Sequence, residues 1–554
     1  MADISVLKFA RSLGSNTASG IARKVGVKWP PPPTISLRNL VLIGSRVIKH
    51  VFVLMLENRS FDHMLGFSGI TGTDAVSGQP TQINGLNGTE SNSFDGQTYG
   101  VQKPADYAIP ADPGHEFLDV LEQLCGTRFY PFGGVYPKVV NSGFVASWMA
   151  ASVQSNPGEI MKCYSPNQLP VLNKLASEFV VCDNWYASLP GPTWPNRFFA
   201  HAASSGGLDH SPSAAEIALW ETVDGFSFPN GTIFDRMNRN HIKWRLYAGD
   251  DFPVVAGLKG IHLTDIDPYS KFLRDVARSD YAISYTFIEP SYGHFLSDYK
   301  CGTSQHPLDD VTRGDALMKS TYEAIRNSPV WNSSLLIITW DEHGGFYDHV
   351  TPPRAVAPGD TAPGSEHNQN GFTFEQYGPR VPAVIISPLI PRNQIDHRVY
   401  DHSSIPATLE ACFGLNSMTQ RDANANNLTR LLLLSNPRSD APVMLPPPAQ
   451  SGVTGCPPFS SSHAAAMEQA LRAPPPVSRP QDSIDEGNLP GFLHSVLRCD
   501  LALSPPEQKA TIMARFNAIK TRADASQYME EVRVKVQAPR SYPSHQSDSF
   551  RVSG

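Results

Sequence analysis

Val51-Phe-Val-Leu-Met-Leu56 runs straight into Glu57-Asn58-Arg59-Ser60-Phe61-Asp62-His63. Six apolar residues with no polar position between them describe a strand covered on both faces, and such strands belong to parallel sheets flanked by helices. The polar residues that follow then mark the carboxyl end of that strand. The same pattern recurs at Leu335-Leu-Ile-Ile-Thr-Trp340, which runs into Asp341-Glu342-His343-Gly344-Gly345, and in the apolar runs at 179–182, 283–288 and 383–387. Helical patterns lie between them. Thr312-Arg-Gly-Asp315 has the spacing of a capping box, and Met318, Tyr322 and Ile325 follow at helical intervals. Residues 170–179 supply a second, shorter amphipathic segment. The fold class is therefore α/β, with a mainly parallel central sheet flanked by helices.

Outside those runs the chain changes character several times. Two long stretches, 68–110 and 350–377, are rich in Gly, Asn, Ser and Asp, and read as lids or binding loops. Residues 48–435 form the catalytic-sized domain, and 436–489 a linker rich in Pro, Ser and Ala. Residues 490–538 read as helical: Ser504-Pro-Pro-Glu507 opens a helix in which Ile512, Phe516 and Ile519 share a face. Residues 539–554 form a disordered tail. At the other end, residues 1–47 form a basic arm and proline-rich linker. Lys8, Arg11, Arg23, Lys24 and Lys28 there face the single acid Asp3. A poorly ordered arm, an interfacial membrane helix and a transit peptide all fit that composition.

The bulk numbers exclude several classes. Of 554 residues, 41% are hydrophobic and 18% charged, the balance of a globular chain. A formal charge of −7 argues against a general nucleic-acid binder. No apolar run approaches the roughly 18–20 residues that span a bilayer, and no secretory h-region precedes a cleavage site. The expected location is cytoplasmic or peripheral to a membrane. Seven cysteines stand singly at 125, 163, 182, 301, 412, 456 and 499. That spacing predicts neither a disulfide framework nor a zinc site, and favours a reducing compartment.

Chemistry concentrates at the strand ends, where open α/β sheets bind ligands. Carboxylates at the end of a buried strand stay ionised only against something positive. Glu57, Asn58, Asp341 and Glu342 are all hard oxygen ligands, which suit one divalent metal ion, Ca²⁺, Mg²⁺ or Mn²⁺. Surface turn residues or helix caps would be the non-functional reading of the same pairs. Between them in the chain lies Ser188-Leu-Pro-Gly-Pro-Thr193-Trp-Pro-Asn196-Arg197. Its prolines and glycine describe a rigid turn that fixes the Thr193 hydroxyl. Beside a cation, that hydroxyl becomes a usable nucleophile. Arg197 has the planar fork that clamps phosphate oxygens, and Asn196 adjoins it on the substrate side.

Four stretches together resemble the phosphoesterase family: Glu57 to His63, Gly191-Pro-Thr-Trp-Pro-Asn-Arg197, Asp341-Glu-His-Gly-Gly-Phe-Tyr-Asp-His349 and Tyr377-Gly-Pro-Arg-Val-Pro382. That family contains plant non-specific phospholipases C, bacterial phospholipases C and a bacterial acid phosphatase, on an alkaline-phosphatase-like fold. The likeness covers roughly residues 48–415. It implies that Glu57, Asn58, Asp341 and Glu342 hold one divalent metal and that Thr193 attacks phosphorus. The acid phosphatase branch has serine as nucleophile and a second aspartate at the Glu342 position. Threonine with Asp-Glu therefore points to the phospholipase C branch.

Phosphoester cleavage also needs a proton donor for the leaving alkoxide and positive charge around the phosphate. His115, His306 and His402 are the catalytic candidates, with Asp310 orienting His306. His343 is expected near the substrate, His349 to be structural, and Asp62 and His63 to support or cap. Glu289 is a further lining candidate. The leading function is hydrolysis of a phospholipid phosphodiester, releasing diacylglycerol and a phosphorylated head group. An acid phosphatase-like phosphomonoesterase and a non-catalytic lipid-binding relative are the alternatives. The lack of a Cys-x-Pro-x-Arg segment argues against a sulfatase. The expected partner is a phospholipid or other phosphoester, reached through peripheral membrane contact by the basic arm or the long loops.

Overall fold

Each of the five apolar runs contributes a strand to one ten-stranded sheet. The computed structural model describes residues 48–151, 156–212, 225–249, 253–261, 265–293 and 301–456, then Leu493, Val496, Leu497, Asp500, Leu501 and 503–537. The basic arm and the 539–554 tail lie outside the described residues. In chain order the strands are β1 (His50–Leu56), β2 (Thr71–Asp74), β3 (Pro80–Gln82), β4 (Val180–Cys182), β5 (Trp244–Ala248), β6 (Ile266–Pro268), β7 (Tyr285–Glu289), β8 (Ser334–Trp340), β9 (Ala383–Ile386) and β10 (Gln394–Asp396). Across the sheet they run β3-β2-β10-β4-β9-β8-β1-β7-β5-β6. Neighbours are parallel, except that β9 is antiparallel to both β8 and β4 and the edge strand β3 is antiparallel to β2.

Burial of both faces follows from where alternate side chains go. Phe52 and Val53 of β1 stand beside Thr286 and Phe287 of β7, so Phe52 and Phe287 point to opposite faces. Phe52 meets Phe272 at 6.0 Å, while Phe287 meets His201 at 4.6 Å. Among the helices are α1 (Phe117–Cys125), α2 (Pro170–Glu178), α3 (Thr193–Ala202), α4 (Tyr269–Val276), α5 (Val311–Arg326), α6 (Ser404–Phe413), α7 (Lys509–Asn517) and α8 (Arg522–Gln537). Phe272 lies on α4 and His201 on α3, so helices cover both sides. The continuous apolar runs are thereby explained.

Several sequence expectations need correction. The capping box read at Thr312 to Asp315 is displaced: Asp310 caps α5 by accepting the Thr312 N–H at 3.0 Å. Asp315 sits inside the helix and instead accepts the N–H groups of Val171 and Leu172 at 3.1 and 3.0 Å, capping α2. Burial pushes its carboxyl up to about 7. Part of 68–110 is ordered as short antiparallel pairs, β2 with β3 and 91–94 with 97–100. The start of the linker is held against α5, with Tyr322 donating to Pro442 O at 2.6 Å and Lys319 to Leu445 O at 2.6 Å. Cys301 and Cys456, 155 residues apart, form a disulfide, so the expectation drawn from singly spaced cysteines fails for this pair. Sequence spacing carries no sign of a pair that only the fold brings together. In the C-terminal region, Ile512 and Phe516 of α7 share a small core with Leu493, Val496, Tyr528 and Val532, and Ile519, expected on the same helix, joins that core from beyond its end at Asn517. Among the described residues, no helix is long and apolar enough to cross a membrane.

Candidate active site

The register of β1 on β8 pairs Leu56 with Trp340, so Glu57 and Asp341 leave the sheet side by side. The two strand ends are then laced together. Asp341 N–H donates to Leu56 O at 3.2 Å, Asn58 N–H to Asp341 Oδ1 at 3.1 Å, and Arg59 N–H to Glu342 O at 2.9 Å. Asn58 holds φ at 55°, a left-handed conformation that asparagine tolerates better than most residues. Gly344, at φ 64°, lies so close beneath it that a Cβ would stand 2.2 Å from Asn58 O. Only glycine permits that approach.

The third contributor is the proline-rich turn before α3. Thr193 is the first residue of α3, and its hydroxyl reaches Asn58 Oδ1 at 3.3 Å. Being at the helix start, Thr193 and Trp194 have N–H groups outside the helix's own ladder, where an anion is favoured. Asn196, expected beside substrate, is spent on the turn itself. Its Oδ1 accepts Leu189 N–H at 3.1 Å, and its Nδ2 donates to Gly191 O at 2.9 Å and Pro192 O at 3.0 Å. Arg197, expected to clamp phosphate, is buried against protein acceptors. Its Nε donates to Asp341 Oδ2 at 2.9 Å, Nη2 donates to Leu56 O at 3.1 Å, and Nη1 lies 3.8 Å from Glu289. Glu289 accepts the N–H groups of Val254 and Val255, and so fixes Arg197 from behind.

Four carboxylates, Glu57, Glu289, Asp341 and Glu342, are thus fully buried at the strand ends. Burial and then the Asp341 charge push Glu57 well above the usual range, and burial raises Asp341 to about 6. Burial acts the same way on Glu342, but His115, His343 and the Gly344 N–H together bring it below its ordinary value. Facing these acids, Arg197 is one cation. His115 is a second: burial opposes its charge, but Glu342, Asp112 and Glu116 raise it to about 10. Four acids against two cations leave room for two further positive charges. Glu342 Oε1 and Asn58 Nδ2 are buried without a hydrogen-bond partner among the described residues. Hard oxygen donors, an acid excess and an orphaned carboxylate oxygen fit a divalent cation.

The histidines divide by environment. His115 Nδ1 donates to Pro113 O at 2.8 Å, which leaves its other nitrogen for the site. His306 is lowered to about 4 by burial, and its Nε2 lies 3.5 Å from Asp112 rather than from Asp310. Asp310 is occupied as the cap of α5 and by Ser451. His402 has both nitrogens engaged: Trp185 Nε1–H donates to Nδ1 at 3.3 Å, and Nε2–H donates to Asp341 O at 2.5 Å. Parallel pairing of Tyr400 with Trp185 and Asp401 with Tyr186 puts it there. His402 therefore holds the backbone of Asp341. His343 Nε2 donates to Gln123 Oε1 at 2.6 Å, and Nδ1 stands 3.3 Å from Glu342.

Asp112 and Gln123 were missed by the sequence reading, although Asp112 sits three residues before His115. A separate polar cluster lies among Asp62, Asp348 and His349, whose ligand atoms lie within 4.8 Å of one another, close enough for a metal. Arg380, fully buried, already reaches Asp62 Oδ1 and Asp348 Oδ1 at 2.8 Å each, and Asp62 raises His349 against the effect of burial. Arg380, with His349 beside it, thus already sets positive charge against the two acids.

The family model described as Phosphoesterase family matches residues 48–416. Non-specific phospholipase C6 of Arabidopsis thaliana is 37% identical over 421 residues, covering 72% of this chain and 75% of that one. Phospholipase C B of Mycobacterium tuberculosis is 27% identical over 417 residues, covering 69% of this chain and 77% of that one. Among solved structures, a protein in the alkaline phosphatase superfamily from Vibrio parahaemolyticus is 14% identical, covers 72% of this chain and 79% of that one, and overlays with a TM-score of 0.29.

Proposed function

The chain belongs to the phosphoesterase family and is a phosphoric ester hydrolase, and from that premise we propose that it cleaves phospholipids in the manner of a phospholipase C, with Thr193 as nucleophile and one divalent cation. The observation that carries this reading is the Thr193 hydroxyl 3.3 Å from Asn58 Oδ1, beside the adjoining ends of β1 and β8. Glu57, Asn58, Asp341 and Glu342 would hold the cation, which, when bound, supplies positive charge that acidifies the hydroxyl and steadies the phosphate oxygens.

Thr193 Oγ forms a bond to phosphorus as the bond to the diacylglycerol oxygen breaks. The head group stays on phosphorus as a threonine diester. Water then displaces Thr193 and releases the phosphorylated head group. In the first step His306, held neutral, takes the Thr193 proton while His115, held protonated, gives one to the leaving diacylglycerol oxygen; in the second, His115 takes a proton from the incoming water and His306 returns one to Thr193 Oγ. Two titratable neighbours driven apart in pKa are suited to such a division. Asn196 and Arg197 position the nucleophile turn and Asp341, and His402 locks the same strand end.

Diacylglycerol release from phosphatidylcholine by Thr193→Ala tests the assignment. The rate falls by about a thousandfold or more while the fold persists, because one hydroxyl at a helix start adds little to the core. Parental activity in that variant would falsify the nucleophile. Comparing p-nitrophenyl phosphate with p-nitrophenylphosphorylcholine separates a monoesterase from a diesterase, since a diester needs space for a second organic group.

A further inference from the structure

Between α1 and residue 141 the chain makes an aromatic loop, Thr127-Arg-Phe-Tyr-Pro-Phe-Gly-Gly-Val-Tyr-Pro-Lys-Val-Val-Asn141. Phe129, Phe132 and Val135 are 74%, 64% and 68% exposed, a concentration of large apolar side chains within seven residues. Val356, 43% exposed, lies two residues beyond Arg354, whose Nη2 donates to Tyr136 O of the same loop. Scattered single apolar residues on a surface need no explanation, but a cluster facing water does.

The exposure is built in. Gly133 N–H donates to Gly371 O at 3.0 Å, Gly134 N–H to Pro131 O at 2.7 Å, and the Tyr130 hydroxyl to Gly134 O at 2.7 Å. The Phe132 ring rests against Gly371, where an added Cβ would come within 2.5 Å of it. The loop is also rooted beside the catalytic groups. Tyr130 and Tyr136 pack on Phe117 at 5.3 and 6.3 Å, and Phe117 is two residues from His115. The same apolar cluster includes Leu189 and Phe199, from the turn and helix that carry Thr193.

Charge around the loop suits phosphate. Lys138 and Arg354 are exposed and form no ion pair among the described residues, while Glu375 is an exposed acid at the same edge. Arg128 is already paired with Asp119 and Glu122 at 2.7 and 3.0 Å. Aromatic and aliphatic tips flanked by two free bases match the boundary between acyl chains and head-group phosphates. Resting on the phospholipid reading above, we propose that the loop 127–141 docks this enzyme on a phospholipid bilayer. Phe129, Phe132 and Val135 enter the acyl boundary, and Lys138 and Arg354 lie against phosphates.

The test uses the full chain and its triple variant Phe129→Ser, Phe132→Ser, Val135→Ser, with phosphatidylcholine vesicles and with soluble p-nitrophenylphosphorylcholine. In the variant, cosedimentation with vesicles weakens tenfold or more and vesicle hydrolysis falls in step, while the soluble-ester rate stays within twofold. The single variant Phe132→Trp keeps the loop aromatic, and its indole emission shifts to the blue when vesicles are added. A parent chain that does not sediment with vesicles, a triple variant that sediments equally well, or an indole that does not respond would each overturn the docking surface. Failure of the parent to hydrolyse monomeric short-chain phosphatidylcholine would sink the substrate reading instead, and sedimentation would still decide the docking.

Discussion

Arg380 offers the most quantitative test of how the site is held. Its guanidinium is fully buried and uses its fork completely: Nε on Asp348, Nη2 on Asp62, and Nη1 on Asn84 O and Asp183 O, at 2.8 to 2.9 Å, with the Phe61 ring 4.5 Å away. Asp62 lies five residues after Glu57, and Asp348 lies seven after Asp341, so one side chain ties together the loops that follow both acidic pairs. Arg380→Ala leaves two desolvated carboxylates facing each other with only His349 between them. Breaking a buried pair in this way costs about 3–5 kcal/mol. At roughly 2 °C per kcal/mol for a large domain, the apparent Tm falls by about 6–10 °C. Arg380→Lys keeps the charge but cannot span both acids, and recovers less than half of the loss. Thermal unfolding followed by circular dichroism reads the shift. The double variant Arg380→Ala, Asp62→Asn is expected to cost less than the sum of its parts, by about 1–3 kcal/mol. A Tm within 2 °C of the parent for Arg380→Ala, or strict additivity in the double variant, would refute the clamp.

Gly344→Ala sets a Cβ 2.2 Å from Asn58 O at a positive φ, and should cost about 1–3 kcal/mol together with most of the activity; an active, equally stable variant would show that the two loops are not in register contact. His402 is held neutral, with burial lowering it to about 4 against an unfolded value near 6.5. The unfolded chain therefore takes up a proton first as the pH falls from 6.5 toward 4, and stability drains over that window. About 2 kcal/mol of the loss between pH 7 and 5 should vanish in His402→Gln, and parallel urea titrations of the two proteins would contradict the assignment. Chelation should abolish turnover and divalent metal restore it. Affinity for the metal should weaken below about pH 6, where Asp341 takes up its proton, and isothermal titration at pH 5 and 7.5 measures the difference.

The legible part of this site was the part written in consecutive residues. An uninterrupted apolar run announces a doubly covered strand, and a polar pair directly after it announces the strand's carboxyl end. Glu57-Asn58 and Asp341-Glu342 could therefore be paired before any register was known. The rigid turn around Thr193 was legible for the same reason. Partnerships across the chain were not. His306 faces Asp112 rather than the nearer-numbered Asp310, because Asp310 is turned to the Thr312 N–H as the cap of α5 and to Ser451. Arg197 could be recognised as a planar fork suited to an anion, but the fold sets its Nε on Asp341. Cys301 and Cys456 likewise join through tertiary structure alone.

The fate of Arg197 sharpens the electrostatic argument for a cation. A phosphodiester brings a negative charge to a place that already holds Glu57, Asp341 and Glu342. The guanidinium of Arg197 beside them gives Nε to Asp341 and Nη2 to Leu56 O, which leaves only Nη1, 3.8 Å from Glu289, with uncommitted donors. The N-terminus of α3 contributes roughly half a charge, and His115 one more. With Arg197 offsetting Asp341, Glu342 and a phosphodiester still outweigh these, the more so once Glu57 ionises. The divalent cation proposed above would supply the missing charge, and the uncommitted buried Glu342 Oε1 is an atom that could ligate it.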